Sequence, residues 1–405
     1  MDEMDSDRVN FVLVGDGNYI MQLSVVITSI LLNLAPERKP RFFVFVSGAG
    51  AADLAKLEKV KETRECELVI IDMDEYEGFF RGLLSDTFTL RYISFATYFR
   101  LMMFSILPDD VEKCFYVDGD MIVDSDLSEM YDGLRDDCLA KVVVDVHSMQ
   151  NRHSILSHLY QIPDFAQFAA DPMKAPYFNA GFFLLNVRLA KKLGRFEAAI
   201  DFLKRVPNPP YADQDTLNAI LGQAHRDKLE YIDPAYNVFC DIDHKQNYND
   251  AYYPEKKIAA AFERPMIYHF AGGKKPWLTK RALRYWNKWF YYHIRSPFWE
   301  TAIPLDAQKN GTRSSPGFRL AHIDIEPTKW EIRLFEKISC FKIRERPGRD
   351  YVYLFDCITL DRIVKKEWGR LHFFLSFIPF LWVTRTSSDE WIENPDAIVN
   401  DMAKL

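Results

Sequence analysis

The stretch that decides the fold is Phe115 to Asp124, FYVDGDMIVD, in which two aspartates follow an apolar run. A short apolar run with polar borders predicts a buried strand. Asp118 and Asp120 stand one residue apart at the end of this run, with Gly119 between them. A tight turn explains the pattern. So does a divalent cation, because Mg²⁺ and Mn²⁺ prefer carboxylate oxygens.

The composition describes a chain that can bury a sizeable core. It has 405 residues, a hydrophobic fraction of 48% and an aromatic fraction of 15%, which argues against disorder and fits one large domain, or one domain with an extension. The net charge of −7 argues against nucleic acid as the partner of the whole chain.

Cysteine usage and the first residues predict a cytoplasmic location. The six cysteines form no CxxC pair, so neither a disulfide framework nor a zinc knuckle is expected. The start of the chain, MDEMDSDRVN, is acidic and lacks the apolar core of a signal peptide. No apolar run reaches the ~18 residues that span a bilayer.

Strand and helix patterns alternate along the chain. Strands are predicted at Phe11–Gly15, Arg41–Ser47, Glu67–Asp72, Lys113–Asp118, Ala140–Val146, Tyr177–Val187 and near His269, and helices over 19–34, 51–64, 96–107, 188–205 and 213–221. This alternation predicts βαβ units and an α/β fold with a mainly parallel sheet. Ligands of such sheets bind at the carboxyl ends of strands, where both Asp16 and the Asp118/Asp120 pair fall. No internal repeat is expected.

Asp-x-Asp stretches recur in the sequence, among them those at 213–215 and 241–243, and the one at Asp118 follows an apolar strand. Gly119 would let the backbone bend so that both carboxylates face one ion. The stretch at 213–215 has a second interpretation, in which Asp213 or Asp215 caps a helix. Another lies at 241–243.

The loop HFAGGKKPW, residues 269–277, adds further groups at a strand end. Imidazole suits Mn²⁺, so His269 is a candidate third ligand. The two glycines would let backbone amides approach a phosphate, and Lys275 could neutralise it. A surface turn with solvated lysines is the alternative.

In order along the chain, these stretches resemble glycosyltransferase family 8, the retaining hexosyltransferases that include bacterial lipooligosaccharide and lipopolysaccharide galactosyl- and glucosyltransferases. The resemblance covers about residues 9–290 and rests on VGDGNY (14–19), SFATYFRL (94–101), YVDGDMIV (116–123), YFNAGFFLLN (177–186), YADQDTLN (211–218) and HFAGGKKPW (269–277). Six ordered motifs are far more specific than any single one.

The resemblance implies a GT-A fold, in which a Rossmann-like sheet flanked by helices binds a UDP-sugar through a divalent metal, usually Mn²⁺ and alternatively Mg²⁺. It implies that Asp118, Asp120 and His269 are the metal ligands, with Gly119 in the same turn. The remaining implied contacts are Asp16 and Asn18 with uracil and ribose, Arg100 with the diphosphate or sugar, Gly272 and Lys275 with the diphosphate, and Asp145, Asn179, Ala180, Asp213 and Gln214 with the donor sugar. For Asp145 and Asn179, capping a strand or satisfying loop backbone is the structural alternative.

Two glycines depart from the usual family pattern. Gly119 stands where a branched residue is common, and Gly17 where the residue is often polar. The resemblance also implies retention at the anomeric carbon, with Gln214 on the β-face of an oxocarbenium-like state and Asp213 fixing sugar hydroxyls. An amide is a poor nucleophile, which favours front-face return over a covalent intermediate as a hypothesis.

The predicted function is metal-dependent transfer of glucose or galactose from UDP to a saccharide or glycolipid acceptor. The alternative is a non-catalytic sugar-nucleotide or carbohydrate-binding protein on the same scaffold, which should have lost one of Asp118, Asp120, His269 or Lys275. A nucleotidyltransferase is a weaker alternative, because GDGNY after the first strand lacks a basic residue.

The predicted domains are the catalytic domain at 9–290 and a C-terminal extension at 291–405. Residues 274–299 contain seven Lys/Arg, nine aromatics and no acid, which fits a core helix with a solvated face, peripheral attachment to an anionic membrane or, less well, single-stranded nucleic acid. Residues 371–383, LHFFLSFIPFLWV, are too short to span a bilayer. They would add an apolar membrane contact or form a core helix of a small domain.

Overall fold

The computed structural model describes residues 7–84, 95–145, 176–207, 209–223, 225–240, 253–278 and 284–301, and the backbone of seven strands between 321 and 384. Ser94 of the second motif and the Asp-x-Asp stretch at 241–243 lie outside these residues. The chain divides into two units, Met1–Lys309 and Asn310–Leu405. The predicted boundary at 290 falls inside a helix of the first unit.

A seven-stranded mixed sheet forms the centre of the first unit, and three further strands form a small second sheet. The strands are β1 (Arg8–Asp16), β2 (Lys39–Ser47), β3 (Glu67–Asp72), β4 (Lys113–Val117), β5 (Met121–Val123), β6 (Ala140–Val144), β7 (Phe178–Asn186), β8 (Leu229–Tyr231), β9 (Val238–Phe239) and β10 (Ile267–His269). The large sheet has the order β3-β2-β1-β4-β7-β6-β8, and the small one the order β5-β10-β9. In the large sheet only β4–β7 and β6–β7 are antiparallel, so the expected mainly parallel sheet is confirmed.

Helices cover both faces of the large sheet. They are α1 (Ile20–Asn33), α2 (Ala51–Leu57), α3 (Asp74–Leu83), α4 (Met103–Ile106), α5 (Ser128–Asp132), α6 (Val187–Lys192), α7 (Arg195–Arg205), α8 (Ala212–Leu217), α9 (Glu255–Glu263) and α10 (Trp286–His293). Successive residues of β1 enter different apolar clusters: Phe11 and Leu13 pack in one, Val12 and Val14 in the other. The strand period of two therefore builds two core layers.

A ladder of aromatic rings fixes the strand that carries the aspartate pair. Phe11 of β1 stacks on Phe42 of β2 and on Phe115 of β4, with ring centroids 5.2 and 5.5 Å apart. Phe115 in turn stacks on Phe182 of β7 at 5.6 Å. Each such pair contributes about 0.5–1.5 kcal/mol beyond burial, so the carboxyl end of β4 rests on a rigid support.

Three helix predictions need correction. The helix predicted over 188–205 is two helices, because Gly194 adopts a left-handed conformation (φ +62°) and ends α6 before α7 begins. Residues 95–102 form a 3₁₀ helix ahead of the short α4. The helix predicted over 51–64 is α2 followed by a 3₁₀ segment at 58–62.

The second unit contains an antiparallel sheet of seven strands in chain order. These are β11 (Ala321–Glu326), β12 (Lys329–Leu334), β13 (Ile338–Arg346), β14 (Arg349–Leu354), β15 (Ile358–Lys366), β16 (Gly369–Phe374) and β17 (Ile378–Thr384). The core helix considered for 371–383 is wrong, because β16 and β17 cover its described residues. Pro379 is compatible with β17 because β17 is an edge strand, and the aromatic residues are compatible with strands.

The expectation of no internal repeat is also wrong. β13, β15 and β17 begin at Ile338, Ile358 and Ile378, and β12, β14 and β16 begin at 329, 349 and 369, so each strand pair repeats after 20 residues. Isoleucine recurs at two positions, 338/358/378 and 323/343/363, whereas few other positions keep one residue type, which hides the period in the sequence. Within the described part of the chain, no helix has the length and apolar character needed to cross a membrane.

Candidate active site

The carboxyl ends of β4 and β10 bring the three expected metal ligands together. Asp118 and Asp120 occupy the turn between β4 and β5, and β10 runs antiparallel to β5 with His269 opposite Met121. His269 Nε2 lies 3.3 Å from Asp120 Oδ1 and 4.0 Å from Asp118 Oδ2. One ligand atom from each residue lies within 4.8 Å of the others, so the predicted cluster exists.

The donor set fits a divalent cation. Asp120 Oδ1 is buried and accepts no hydrogen bond, although burying an unpartnered carboxylate oxygen is costly. It faces the ring nitrogen of His269. Two carboxylates and an imidazole are ligands that Mn²⁺ and Mg²⁺ accept in proteins, and a cation between these atoms would satisfy the oxygen.

Lys275 supplies positive charge at the same place. Its Nζ lies 2.6 Å from Asp120 Oδ2 and donates to the carbonyl of Phe270 at 2.6 Å. Burial, the largest influence, would raise the pKa of Asp120, but the positive charge of Lys275 opposes it, and that pKa lies below its usual range. Asp120 is therefore a carboxylate at neutral pH.

The Oδ1 atom of Asp118, which does not face His269, is fixed by hydrogen bonds from two neighbouring side chains. Its Oδ1 accepts from Tyr116 Oη at 2.7 Å and from Arg100 Nη2 at 2.9 Å, which leaves Oδ2 toward His269. The backbone N–H of Asp118 donates to the carbonyl of Gly181 at 2.8 Å. Both its backbone and its side chain are thus fixed by neighbours in the sheet.

Arg100 is buried beneath this cluster. Its guanidinium lies over the Tyr116 ring at 4.4 Å, donates to the carbonyl of Ala180 at 2.8 Å and lies 2.8 Å from Asp213 Oδ2. With Asp118 as a fourth partner, its positive charge lies between the carboxylates of Asp118 and Asp213. The contacts make Arg100 a positioning residue within the protein.

A second polar group, at the ends of β6 and β7, holds the expected donor-sugar residues. Asn179 Nδ2 donates to Gln214 Oε1 at 2.9 Å and to Asp145 Oδ2 at 3.2 Å. Gln214 Nε2 donates to Asp145 Oδ2 at 3.0 Å, and Gln214 Oε1 also accepts from the backbone N–H of Ala180 at 3.0 Å. Four residues of the prediction therefore meet in one hydrogen-bonded set.

Neither Asp213 nor Asp215 is the cap residue of α8. The N-cap residue is Tyr211, and its side chain accepts no hydrogen bond from the first turn of the helix. Asp215 Oδ2 instead accepts from the Tyr211 N–H at 2.7 Å, while its Oδ1 accepts from Tyr177 Oη at 2.6 Å. Asp213 accepts from Thr97. Burial raises the pKa of Asp213 to about 6 and that of Asp215 to about 7.

Asp16 and Asn18 line an open cleft beside these groups, where β1 ends. Asp16 Oδ1 accepts from the Asn18 N–H at 2.9 Å, which fixes the turn. The cleft has a volume of 580 Å³ and is lined by Asp16, Gly17, Asn18, Ser47, Gly48, Gly50, Asp53, Asp74, Glu77, Arg81, Phe95, Ala96 and Phe99. Its size fits a small organic ligand.

Two glycines of the site serve close packing. A Cβ at Gly17 would lie 2.2 Å from the carbonyl oxygen of Gly48, so no side chain fits there without backbone movement. A Cβ at Gly119 would lie 3.2 Å from Tyr19 and from Leu23. Gly119 lies outside the left-handed region, so close packing, and not the freedom to bend, explains this glycine.

Gly272 is half-buried in the loop after β10. The solvated-lysine interpretation of this loop is wrong for Lys275, which is buried. The sequence analysis missed Asn237, Thr97, Tyr116 and Gly181. Thr97, Tyr116 and Gly181 lie inside the quoted motifs and contact site residues two or three positions away. Asn237 lies outside every motif and acts through residues that the fold brings to it.

The basic aromatic segment is mainly part of the core. Trp277, Trp289 and Tyr292 are buried, and Lys288 pairs with Asp124 at 2.7 Å. This arrangement matches the core-helix interpretation. Trp299, with 52% of its surface exposed, is an exception.

The site thus combines an acidic–imidazole cluster that could hold a metal ion with a cleft that could take an organic ligand, at the carboxyl edge of a Rossmann-like sheet in an α/β protein. The family model for glycosyl transferase family 8 matches residues 10–281. The chain therefore belongs to glycosyltransferase family 8.

Relatives and solved structures agree with this assignment. General stress protein A of Bacillus subtilis is 25% identical over 71% of this chain and 94% of its own length. Lipopolysaccharide 1,2-glucosyltransferase of Escherichia coli K12 is 26% identical over 75% of this chain and 82% of its own length. Lipopolysaccharide 1,3-galactosyltransferase of Salmonella typhimurium is 24% identical over 67% of this chain and 74% of its own length. The galactosyltransferase LgtC, solved with donor and acceptor sugar analogs, aligns with TM-score 0.55 and 19% identity over 73% of this chain and 98% of its own. The expected GT-A fold is confirmed.

Proposed function

We propose that this protein is a metal-dependent retaining glycosyltransferase that moves glucose or galactose from a UDP-sugar to a saccharide acceptor. The acceptor belongs to lipopolysaccharide, capsule or a related glycan. Membership of the family supports glycosyl transfer, and two relatives named as lipopolysaccharide glycosyltransferases support this class of acceptor. Mn²⁺ is the proposed metal, with Mg²⁺ as the alternative.

The observation that carries the proposal is the pairing of Asp120 with Lys275 next to an unpartnered carboxylate oxygen. A divalent ion held by Asp118, Asp120 and His269 would stabilise the charge that develops on a departing diphosphate. Lys275 has a flexible stem and three donors, so it can turn from Asp120 to the same diphosphate. Asp16 and Asn18, in the adjoining cleft, would bind uracil and ribose.

The set around Gln214 supports a front-face route. Gln214 Oε1 already accepts two hydrogen bonds, from Asn179 and from the Ala180 N–H, and each bond draws electron density from the oxygen. An amide oxygen in this state is a weak nucleophile but can stabilise positive charge on the anomeric carbon. Asp145 and Asp213 would hold sugar hydroxyls, and departing UDP would accept the proton of the acceptor hydroxyl.

A UDP-release assay tests the proposal. UDP-glucose and UDP-galactose are each supplied with Mn²⁺ or EDTA, with and without a lipopolysaccharide-core acceptor. We expect turnover of one donor with Mn²⁺ and none with EDTA. Tight Mn²⁺-dependent binding of the UDP-sugar without turnover, for any acceptor tried, would favour the non-catalytic binding protein.

We further propose that residues 291–405 attach the enzyme to an anionic membrane surface at the inner face of the cell membrane, close to a glycolipid acceptor. Lys342, Arg344 and Arg346 are alternate residues of β13, and alternate residues of a strand share a face. Arg346 is paired with Arg349, and Tyr351 pairs with both Arg344 and Arg362. Like charges at opposite positions destabilise a sheet, and anionic lipid would offset that repulsion.

Vesicle sedimentation of the full chain tests this attachment. The triple substitution Arg344→Glu, Arg346→Glu and Arg362→Glu should release the protein from vesicles that contain phosphatidylglycerol. Lys365→Glu with Arg370→Glu, which are paired on the opposite face, is the matched control and should leave binding intact. Equal binding by both variants, or binding to neutral phosphatidylcholine vesicles, would refute the charged-face proposal.

A further inference from the structure

We infer that Asn237 is a positioning residue that fixes the tautomer of His269 and ties the metal ligands to the donor-sugar residues. The inference rests on the proposed metal site. Asn237 lies between a 3₁₀ turn at 234–236 and β9. It is buried, and its side chain touches both polar groups of the site.

The direction of each hydrogen bond follows from one backbone group. Gly181 N–H donates to Asn179 Oδ1 at 3.0 Å, and because a peptide N–H can only donate, that side-chain atom must be the amide oxygen. Asn237 lies 2.8 Å from the same oxygen. Asn237 must therefore present its NH₂ group to Asn179.

The orientation of Asn237 then determines which ring nitrogen of the neutral His269 imidazole carries the hydrogen. With its NH₂ on Asn179, Asn237 turns its Oδ1 toward His269 Nδ1 at 2.8 Å. An amide oxygen only accepts, so Nδ1 carries the hydrogen. In the neutral ring Nε2 is left with a lone pair, and Nε2 is the atom 3.3 Å from Asp120 Oδ1. Asn237 thus presents a metal-binding nitrogen to the two carboxylates.

The same chain of bonds extends in the other direction. Since Asn179 Oδ1 accepts from Gly181 and Asn237, its NH₂ must donate to Gln214 Oε1 and Asp145 Oδ2. The Ala180 N–H independently fixes Gln214 Oε1 as an acceptor. Consecutive peptide groups of β7 therefore set both amides, and Asn237 hydrogen-bonds both to this set and to His269.

Two substitutions separate the two bonds of Asn237. Asn237→Leu removes both the donor and the acceptor at similar volume. Asn237→Asp keeps an acceptor for His269 Nδ1–H but removes the donor to Asn179. Asn10→Leu is the matched control, because Asn10 is a buried amide that binds Tyr131 near the opposite end of β1.

Two readouts test the inference. The first is ¹⁵N NMR of the histidine ring nitrogens in the metal-free, ¹⁵N-histidine-labelled full chain, with His269→Gln assigning the signal. The second is Mn²⁺ affinity from the electron paramagnetic resonance signal of free Mn²⁺. We expect the Nδ1–H tautomer in wild type, Asn237→Asp and Asn10→Leu, and its loss in Asn237→Leu, where Mn²⁺ affinity falls about 10–100-fold.

An Nδ1–H tautomer retained in Asn237→Leu would overturn the inference, and so would its loss in Asn237→Asp. Should Asn237→Leu fail to fold, the Asp variant alone decides. A wild type with the Nδ1–H tautomer but no Mn²⁺ binding would instead refute the proposed metal-dependent function, so the two failures can be told apart.

Discussion

Buried Lys275 and partly buried Asp120 form an ion pair, with Nζ 2.6 Å from Oδ2, at the position where a metal ion would bind. The lysine lies 155 residues further along the chain than the aspartate. It also binds the carbonyls of Phe270 and Ala271. The pair compensates the charge of Asp120, and breaking it leaves a buried carboxylate uncompensated.

Replacement of Lys275 by alanine should separate metal binding from catalysis. In Lys275→Ala, Mn²⁺ no longer competes with a lysine for Asp120, so its dissociation constant should stay the same or fall. The diphosphate loses a cation, so kcat/KM for UDP-sugar should fall about 100-fold. Steady-state UDP release and Mn²⁺ titration measure the two effects.

Lys288→Ala is the control for this substitution, since Lys288 forms an ion pair of similar length with Asp124 away from the metal ligands. Its kcat/KM should stay within about threefold of wild type, as expected for a partly exposed pair. Equal losses of kcat/KM in Lys275→Ala and Lys288→Ala would mean that Lys275 contributes to the stability of the fold and not to catalysis.

Gly181 should be essential for metal binding. A Cβ there would lie 2.7 Å from His269 Cε1 and 2.9 Å from Asp118 Oδ2, so Gly181→Ala must displace two of the three ligands. We expect Mn²⁺ affinity to fall at least about 10-fold and the free energy of unfolding to fall by about 1–3 kcal/mol. Gly78→Ala, where nothing lies within 4 Å of the added Cβ, should bind Mn²⁺ like wild type. Normal Mn²⁺ affinity in Gly181→Ala would contradict this view of the ligand geometry.

Gly17 should control nucleotide binding without affecting the metal. Gly17→Ala drives a Cβ against the Gly48 carbonyl and moves the turn that carries Asp16 and Asn18. UDP affinity measured by calorimetry should fall about 10-fold or more, while metal affinity is unchanged. Gly82→Ala is the control, because nothing lies within 4 Å of the new Cβ and Gly82 does not line the cleft, so this variant should bind UDP normally. Unchanged UDP affinity in Gly17→Ala would place the nucleotide elsewhere.

Stability should decrease from pH 6 to pH 7. Burial raises the pKa of Asp215 to about 7, above the ~3.9 of an unfolded aspartate. Between these values the folded state binds more protons than the unfolded state, so the free energy of unfolding falls as pH rises, by at most about 1.4 kcal/mol per unit for one group. Urea unfolding at several pH values should show this slope in wild type and in the exposed-site control Asp201→Asn. Asp215→Asn should show less of it, and an identical slope would exclude Asp215 as the source.

The metal ligands were predictable from sequence because each lies in a motif with its own signal. The apolar strand ahead of Asp118 and the glycine-rich loop after His269 both mark strand ends. Asn237 had no such signal. Its role depends on the parallel pairing of β9 with β10, a contact between segments about 30 residues apart that local patterns do not encode.

The errors in the fold prediction also have physical causes. The sequence pattern of a helix continues through Gly194, although this residue is left-handed and separates two helices. Hydrophobic periodicity does not reveal a single left-handed residue, so one helix was predicted instead of two. The apolar stretch at 371–383 fits a short helix as well as two strands, and only the 20-residue spacing of the strand starts distinguishes them. Gly119 was assigned to a bend, whereas the side chains of Tyr19 and Leu23 account for it.

The most direct test of the central claim compares Mn²⁺-dependent UDP release by wild type, Asp120→Asn and Asp126→Asn. Asp126 is a carboxylate that binds Ser128 and Ala35, away from the metal ligands, so its variant controls for the loss of charge. We predict turnover in wild type and Asp126→Asn that rises with Mn²⁺ and stops with EDTA, and turnover at least about 100-fold lower in Asp120→Asn. Full activity in Asp120→Asn, or activity that EDTA leaves unchanged, would contradict the metal-dependent mechanism.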